Sequence, residues 1–317
     1  RGLVTEASNT GALSSDQISA YQMQVDSSLE AIDRIAGSTS FQGKNLLDGS
    51  LSFVTSGVTS ADIASLDIQQ ATIGASGSVT LDLNVTTAAA KATIVGDNAA
   101  LTGQAVVQVK GSKGAEVFTF GTGTTADAIV SAINLVADAI GVDAATDGSG
   151  NYVFSSQEYG SSQFVEVTAI SGTFTGAGTR NTGTDVAGDV NGAAFAGSGL
   201  RVALNTSTID LEASLSTTFG TTTGTTSFDI TGGGARFQLG ADVLNTQQSR
   251  IGIGSVNTAE LGDTIGGAQR RLYELKSGQG ADLDSDATAA FQIVDKVINK
   301  IASCLLYTSD AADEGLG

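Results

Sequence analysis

The stretch 16–36 constrains the fold more than any other part of the chain, because its apolar residues recur at steps of three and four. The stripe consists of Ile18, Tyr21, Val25, Leu29, Ile32 and Ala36. This spacing keeps the residues on one side of a helix. Ser14, Ser15 or Asp16 can cap its N-terminus, and Gly37 stands where a helix commonly ends. Since a helix this short is marginal alone, we predict that its stripe packs against a partner element.

A matching stripe lies at the other end of the chain, in residues 286–303. Its apolar residues step by four and three and are Ala287, Phe291, Val294, Ile298 and Ile301. The acidic and hydroxyl residues 284–286 precede it as candidate caps. Because the two stretches share one heptad pattern, we predict a helical coiled-coil core formed by both chain ends.

The intervening residues 51–240 have a different character, with short β-type runs between Gly, Ser and Thr turns. Every second residue of 79–85 is apolar, which indicates a half-buried strand. The pattern also predicts one helix over 128–140 and a hairpin turn over 147–151. The predicted fold class is therefore α+β: a heptad-patterned helical core with inserted, mainly antiparallel β-rich domains.

Composition excludes several classes of function. The chain contains no His, so His-containing catalytic triads and His-ligated metal sites are excluded, and we predict neither an enzyme nor a cofactor or metal. Its 33 acidic and 15 basic residues give a net charge of −18. Such a surface repels nucleic acid and anionic membranes, so we predict neither as a partner. No apolar run is long enough to span a bilayer.

The first helical stretch leads into a loop, residues 39–50, in which apolar residues alternate with turn residues. In order they include Phe41, Gln42, Gly43, Leu46, Leu47, Asp48 and Gly49. We predict a packed loop or a short hairpin. This order resembles the N-terminal conserved region of bacterial flagellin, where helices lead into a loop of the form F-Q/N-G-x-x-L-L-D-G. The resemblance implies that residues 1–50 are part of the flagellin helical core, with Phe41, Gly43, Leu46 and Leu47 in its conserved-type loop.

The C-terminal part also resembles flagellin, in the segment before its last heptad helix. The similarity is carried mainly by residues 247–258 and 271–278. It implies that residues 236–303 form the C-terminal part of the core and that residues 51–235 are variable outer domains. Within these, about 101–171 resemble the IN-type insert of flagellins and hook-associated proteins.

Residues 304–317 depart from the heptad pattern. They include Cys304, the one cysteine, and resemble the translation of a sequencing adapter read through into a gene. We therefore expect a non-native tail on a fragment that lacks the outermost helices of the family. Such a fragment is expected to stay monomeric when alone.

Other polar motifs are interpreted as structural. Residues 143–151 lack the ligand spacing and terminal Glu of an EF-hand, which favours a hairpin turn over a calcium site. Asp26, Glu30 and Asp33 lie on the polar side of the first helix, and we interpret them as a solvated face.

The flagellin resemblance implies a structural function, as a secreted subunit of the extracellular flagellar filament that serves motility. The implied partners are other flagellin subunits in a homopolymer, an export chaperone and the flagellar export apparatus. The residues implied in helical packing and assembly are Ile18, Tyr21, Val25, Leu29, Ile32, Phe291, Val294, Ile298 and Ile301. Arg1 and Leu3 correspond best to the receptor motif of the family, which would make a flagellin-sensing innate receptor a further partner.

Other classes stay open beside the filament subunit. A hook-associated junction protein would share the helical ends, and a surface adhesin would bind a glycan through the variable domain. An enzyme is the weakest alternative, because the protease inserts of some flagellins would need an H-E-x-x-H motif.

Overall fold

The computed structural model describes residues 1–7, 13–73, 77–238, 248–265 and 268–314, without the side chains of 248, 249 and 303–314. All four predicted regions are therefore only partly covered. Outside the described residues lie 8–12 of the predicted N-terminal core segment, 74–76 of the predicted outer domains, 239–247 and 266–267 of the predicted C-terminal core segment, and 315–317 of the predicted tail.

The described helices belong to three regions of the fold. They are α1 (Gly2–Ala7), α2 (Ser15–Ser38), α3 (Ala126–Asn134), α4 (Ala137–Ile140), α5 (Thr217–Gly220) and α6 (Ala287–Glu314), with a 3₁₀ helix at Leu272–Leu275. α2 begins at a capping box, in which Ser14 Oγ accepts the Gln17 N–H and the Gln17 side chain accepts the Ser14 N–H. The single helix predicted over 128–140 is wrong, because Val136 leaves the helical conformation (φ −123°, ψ 14°) and separates α3 from α4.

All the described strands come between the two long helices, α2 and α6, in the sequence. The first ten are β1 (Ser40–Phe41), β2 (Lys44–Asn45), β3 (Phe53–Ser56), β4 (Ile63–Ala71), β5 (Val79–Thr87), β6 (Thr93–Val95), β7 (Ala105–Gly111), β8 (Ala115–Phe120), β9 (Val142–Thr146) and β10 (Tyr152–Ser156). The others are β11 (Phe164–Ser171), β12 (Thr179–Thr182), β13 (Ala187–Val190), β14 (Ala193–Ser198), β15 (Arg201–Asn205), β16 (Ile209–Leu215), β17 (Gly224–Gly233), β18 (Ala235–Gln238), β19 (Gln248–Ile251), β20 (Gly262–Ile265) and β21 (Ala268–Arg271).

The largest sheet has ten strands in the order β18-β19-β4-β16-β15-β14-β13-β5-β17-β3, and each pair is antiparallel. β5 shows the predicted alternation, since Leu81, Leu83 and Val85 are buried while Thr80 and Asp82 are exposed. These apolar residues face a core that includes Leu211, Leu215, Phe228 and Ile230 from β16 and β17.

A smaller α+β module is inserted after β5. It has two antiparallel sheets, ordered β6-β10-β9 and β12-β11-β7-β8, against which α3 and α4 pack. The turn predicted at 147–151 is confirmed, because Tyr152 pairs with Thr146 across it. The core of the module runs from Ala92 to Phe174, which is wider than the predicted segment of about 101–171 because β6 pairs with β10.

The helical end forms a third core. α1 packs against both α2 and α6, and the 3₁₀ helix also touches both of the long helices. Leu261, Leu272, Leu275 and Leu283, from the segment before α6, fill this core together with residues of the three helices. The predicted mainly antiparallel β structure is confirmed. The contacts of the described residues do not form the predicted two-helix coiled coil, because α1 and these leucines lie between α2 and α6.

A candidate assembly interface at the helical end

The apolar stripe of α2 faces the third core. Val25 and Leu29 are buried there, and Ile18, Tyr21 and Ile32 are partly buried against the same cluster. Ala36, the last residue of the stripe, is also buried, whereas its neighbour Ile35, which is not part of the stripe, is exposed.

The face of α6 that packs against the third core is not the predicted heptad stripe. Among the described side chains of α6, which end at residue 302, Ala290, Ile293 and Val297 are buried. Of the predicted stripe, Phe291 and Val294 are half-buried, whereas Ile298 and Ile301 are 43% and 39% exposed. The buried residues are thus offset by one position from the predicted stripe. Because α6 is apolar around much of its circumference, contacts with the neighbouring leucines determine which side of the helix is buried.

An open apolar groove of about 400 Å³ lies between these helices. Its walls include Leu3 and Val4 of α1, Ile32 and Ile35 of α2, and Val297, Ile298 and Ile301 of α6. Ile35 is 57% exposed and stands at the rim with Ile298 and Ile301. Contiguous apolar surface of this kind marks an interaction site more often than isolated exposed apolar residues do. We call this feature the apolar groove.

Three polar side chains of α2, those of Gln22, Asp26 and Asp33, bind the segment that precedes α6, and we call them the polar clasp. The buried Gln22 donates from Nε2 to the Leu275 carbonyl (2.8 Å) and accepts the Leu283 N–H at Oε1 (2.8 Å). Asp33 accepts the N–H and hydroxyl of Thr258 at 2.7 and 3.0 Å and pairs with Lys276 at 3.3 Å.

Asp26 completes the clasp. Its carboxylate accepts hydrogen bonds from the Ser277 N–H (3.1 Å), from the Ser277 hydroxyl and from Gln22 (2.9 Å). Partial burial raises the pKa of Asp26 and of Asp33, but the hydrogen bonds and the Lys276 charge outweigh it, so both pKa values lie below 3.8.

The interpretation of Asp26 and Asp33 as a solvated face is therefore wrong, since both bind the segment that precedes α6. The sequence analysis also missed Gln22. A signal was present: Gln22, Asp26 and Asp33 are separated by four and seven residues and so lie on one side of α2. Such a polar row beside an apolar stripe indicates a second contact face.

The conserved-type loop folds as a short hairpin of β1 and β2. Ser40 pairs with Asn45 across a turn in which Gln42 (φ 49°) and Gly43 (φ 79°) both have positive φ. This is the geometry of a type I′ turn, and Gly43 adopts it without steric cost. Phe41 is 65% exposed, while Leu46 and Leu47 are half-buried.

The two segments that carry the flagellin resemblance lie against each other. The Val256 N–H donates to the Leu47 carbonyl (3.1 Å), and Leu51 forms an antiparallel bridge with Ile253. Gly49 packs so closely on Ser255 that an added Cβ would lie 3.1 Å from the Ser255 Cβ. The loop after α2 and the chain that enters the C-terminal part are thus one structural unit.

The candidate receptor residues lie at the rim and wall of the groove. The exposed Arg1 pairs with Asp295 (3.1 Å), and its guanidinium carbon lies 5.2 Å from the centre of the Phe291 ring. Leu3 is half-buried against the core.

Neither metal-binding nor membrane-spanning features occur in the described parts of the chain. They bring together no group of three His, Cys, Asp or Glu side chains suited to a metal ion. No helix among them combines the length and apolarity needed to cross a bilayer.

Comparison with known proteins gives weak similarities. No family model and no curated protein matches the chain. The crystal structure of the flagellar cap protein FliD from Bdellovibrio bacteriovorus is similar with a TM-score of 0.35 and 13% identity, over 53% of this chain and 96% of that chain.

Two further solved structures are also FliD proteins. FliD (HAP2) from Pseudomonas aeruginosa PAO1 gives a TM-score of 0.33 and 14% identity, over 55% of this chain and 84% of that one. The FliD D2-D3 domains from Serratia marcescens give 0.31 and 16%, over 49% and 92%. None of the three is a flagellin, and at these TM-scores the similarity alone assigns neither a family nor a function to this chain.

Proposed function

We propose that this chain is a structural subunit of the bacterial flagellum that assembles through the apolar groove of its helical end. One observation carries the proposal: helices from both ends of the chain line a groove whose rim residues Ile35, Ile298 and Ile301 stay exposed. Support comes from the flagellin-like segments beside it, which pack against each other through Leu47 and Val256.

Assembly would bury the rim of the groove. Full burial of an exposed Ile side chain contributes roughly 1.5–3 kcal/mol, and each of these partly exposed residues would contribute a part of that on contact with a partner helix. A contact between different surfaces of identical subunits produces a ring if the rotation closes and an open helical filament if it does not. The heptad stripes, including Phe291 and Val294, would complete a coiled coil between subunits rather than within one.

The filament subunit is the first form of this proposal. The chain would be exported through the flagellar export apparatus with a chaperone and would form a homopolymer outside the cell. Its acidic β-rich part would face solvent, because net charge far from zero keeps surfaces soluble. In this form a flagellin-sensing receptor would bind near Arg1 and Leu3.

A hook-associated protein is the second form. Two of the solved structures similar to this chain are flagellar cap proteins, and a third is FliD (HAP2). Such a protein would use the same groove at the end of a filament or at a junction rather than along its length. In either form we propose no catalysis, which accords with the lack of His in the sequence.

Electron microscopy of seeded assembly tests the proposal. The product of the full gene is mixed with sheared flagellar filaments and labelled through an affinity tag in the outer part. Label along newly grown filament supports the filament subunit, and label at filament ends alone supports the hook-associated form. Absence of label from filaments, for a protein that is folded by circular dichroism, would refute both.

A further inference from the structure

Two clefts flank the junction between the ten-stranded sheet and the helical end. They have volumes of about 460 and 430 Å³. In the first, Arg201 and Glu212 of the sheet face Asp263 and Lys296 of the helical end, and Lys300 lines both clefts. The walls of both clefts thus include charged side chains from each of the two regions, together with apolar residues.

Ion pairs cross the junction beside these clefts. Lys300 Nζ of α6 lies 3.5 Å from Asp67 Oδ2 of β4. Arg201 of β15 reaches Asp263 Oδ2 of β20 at 3.4 Å, while its other terminal nitrogen pairs with Glu212 on the neighbouring strand. Glu212 therefore orients the guanidinium towards Asp263, because a planar guanidinium donates in fixed directions.

We propose that the Lys300–Asp67 and Arg201–Asp263 pairs act as an electrostatic latch that fixes the orientation of the outer sheet on the helical end. Backbone contacts also join the two regions: the Gly252 N–H donates to the Gln69 carbonyl (2.8 Å), and Leu51 forms an antiparallel bridge with Ile253. Because salt screens exposed charges, the proposal implies that the junction loosens at high ionic strength. The latch does not depend on the proposed flagellar function.

Two different sides of α6 line the apolar groove and the first cleft. Val297 and Ile301 line the apolar groove, whereas Lys296 and Lys300 of the same turns line the first cleft. Substituting Lys300 therefore alters the junction without removing a groove residue.

Hydrogen exchange measured by mass spectrometry tests the latch. In Lys300→Glu, repulsion from Asp67 should speed exchange of amides in 250–254 and 262–265 by about two- to fivefold, the range of an exposed ion pair. The strand 105–111 of the module should be unchanged. Asp67→Lys combined with Lys300→Glu restores an opposite pair at unchanged net charge and should return exchange to the original rate.

Two controls make the result specific. Lys44→Glu carries the same charge change on the exposed hairpin and should leave the junction amides unchanged. Raising NaCl from about 0.05 M to about 0.5 M should speed junction exchange in the original chain more than in Lys300→Glu, because salt screens exposed charges. Unchanged exchange in Lys300→Glu, or failure of the swapped pair to restore it, would overturn the latch.

Discussion

The inserted module and the helical end arrange their apolar residues differently. In the module, Ile129, Ile133, Tyr152 and Phe154 are enclosed, and the Tyr152 and Phe154 rings stack 5.2 Å apart. The module also exposes apolar residues, such as Leu135, but Leu135 does not line the apolar groove. The helical end has an equally defined core, yet three isoleucines remain at the rim of the apolar groove. The exposed apolar residues of the helical end therefore belong to one groove between helices, which suits a partner.

The largest effect is expected from the enclosed core of the module. Phe154→Ala should lower the free energy of unfolding of the module by about 3–5 kcal/mol, since Phe154 is fully buried. Denaturant unfolding followed by hydrogen exchange of 105–111 would measure it. If exchange of the helical end rose equally, the two regions would form one cooperative unit and the comparison would fail.

A matched pair of substitutions separates the two faces of α6. Ile293→Ala should destabilise the helical end by about 2–5 kcal/mol, because Ile293 is buried. Ile298→Ala, less than two turns away at the groove rim, should cost less than about 1 kcal/mol. Denaturant titration of both variants provides the measurement, and equal costs would contradict the assignment of Ile298 to an open surface.

The polar clasp should contribute less than the apolar core. Gln22→Ala leaves the Leu275 carbonyl and the Leu283 N–H without this partner in a buried place, which should cost about 1–3 kcal/mol. Gln24→Ala removes the same side chain from an exposed position of α2 and serves as the control. Thermal unfolding that shifts equally in both variants would show that the clasp contributes no stability.

The smallest effect concerns pH. Because the folded pKa of Asp33 is lowered below 3.8, its carboxylate stabilises the folded state above that value, and the contribution is lost as pH falls through the folded pKa. Asp33→Asn should therefore be less stable than the original chain at about pH 7, and the difference should shrink at about pH 3. Urea titrations at the two pH values measure it. A difference independent of pH would show that charge plays no part.

Local patterns predicted the elements that local chemistry determines. The alternating apolar residues of 79–85 predicted β5, and the turn residues of 147–151 predicted the β9–β10 hairpin. Ser14 was one of the predicted caps of α2, and it is the residue that caps the helix. Pairings between distant strands, such as β4 with β16, depend on contacts that no local pattern encodes.

The candidate site was predictable only in part. Periodicity located α2 and α6 but could not choose between the two apolar faces of α6, because both Ile293 and Val294 continue a helical stripe. The buried face is determined by packing against four leucines of the preceding segment, Leu261, Leu272, Leu275 and Leu283. That segment has no heptad pattern from which this packing could be predicted. The clasp was missed because charged residues on a helix are usually solvated.

One measurement tests the central claim that the apolar groove is an assembly surface. In the seeded electron-microscopy experiment, Ile298→Glu is compared with Leu135→Glu, which places the same charge on an exposed apolar residue of the module. We predict that Ile298→Glu stays folded but no longer joins filaments, and that Leu135→Glu joins them normally. Normal incorporation of Ile298→Glu would contradict the account.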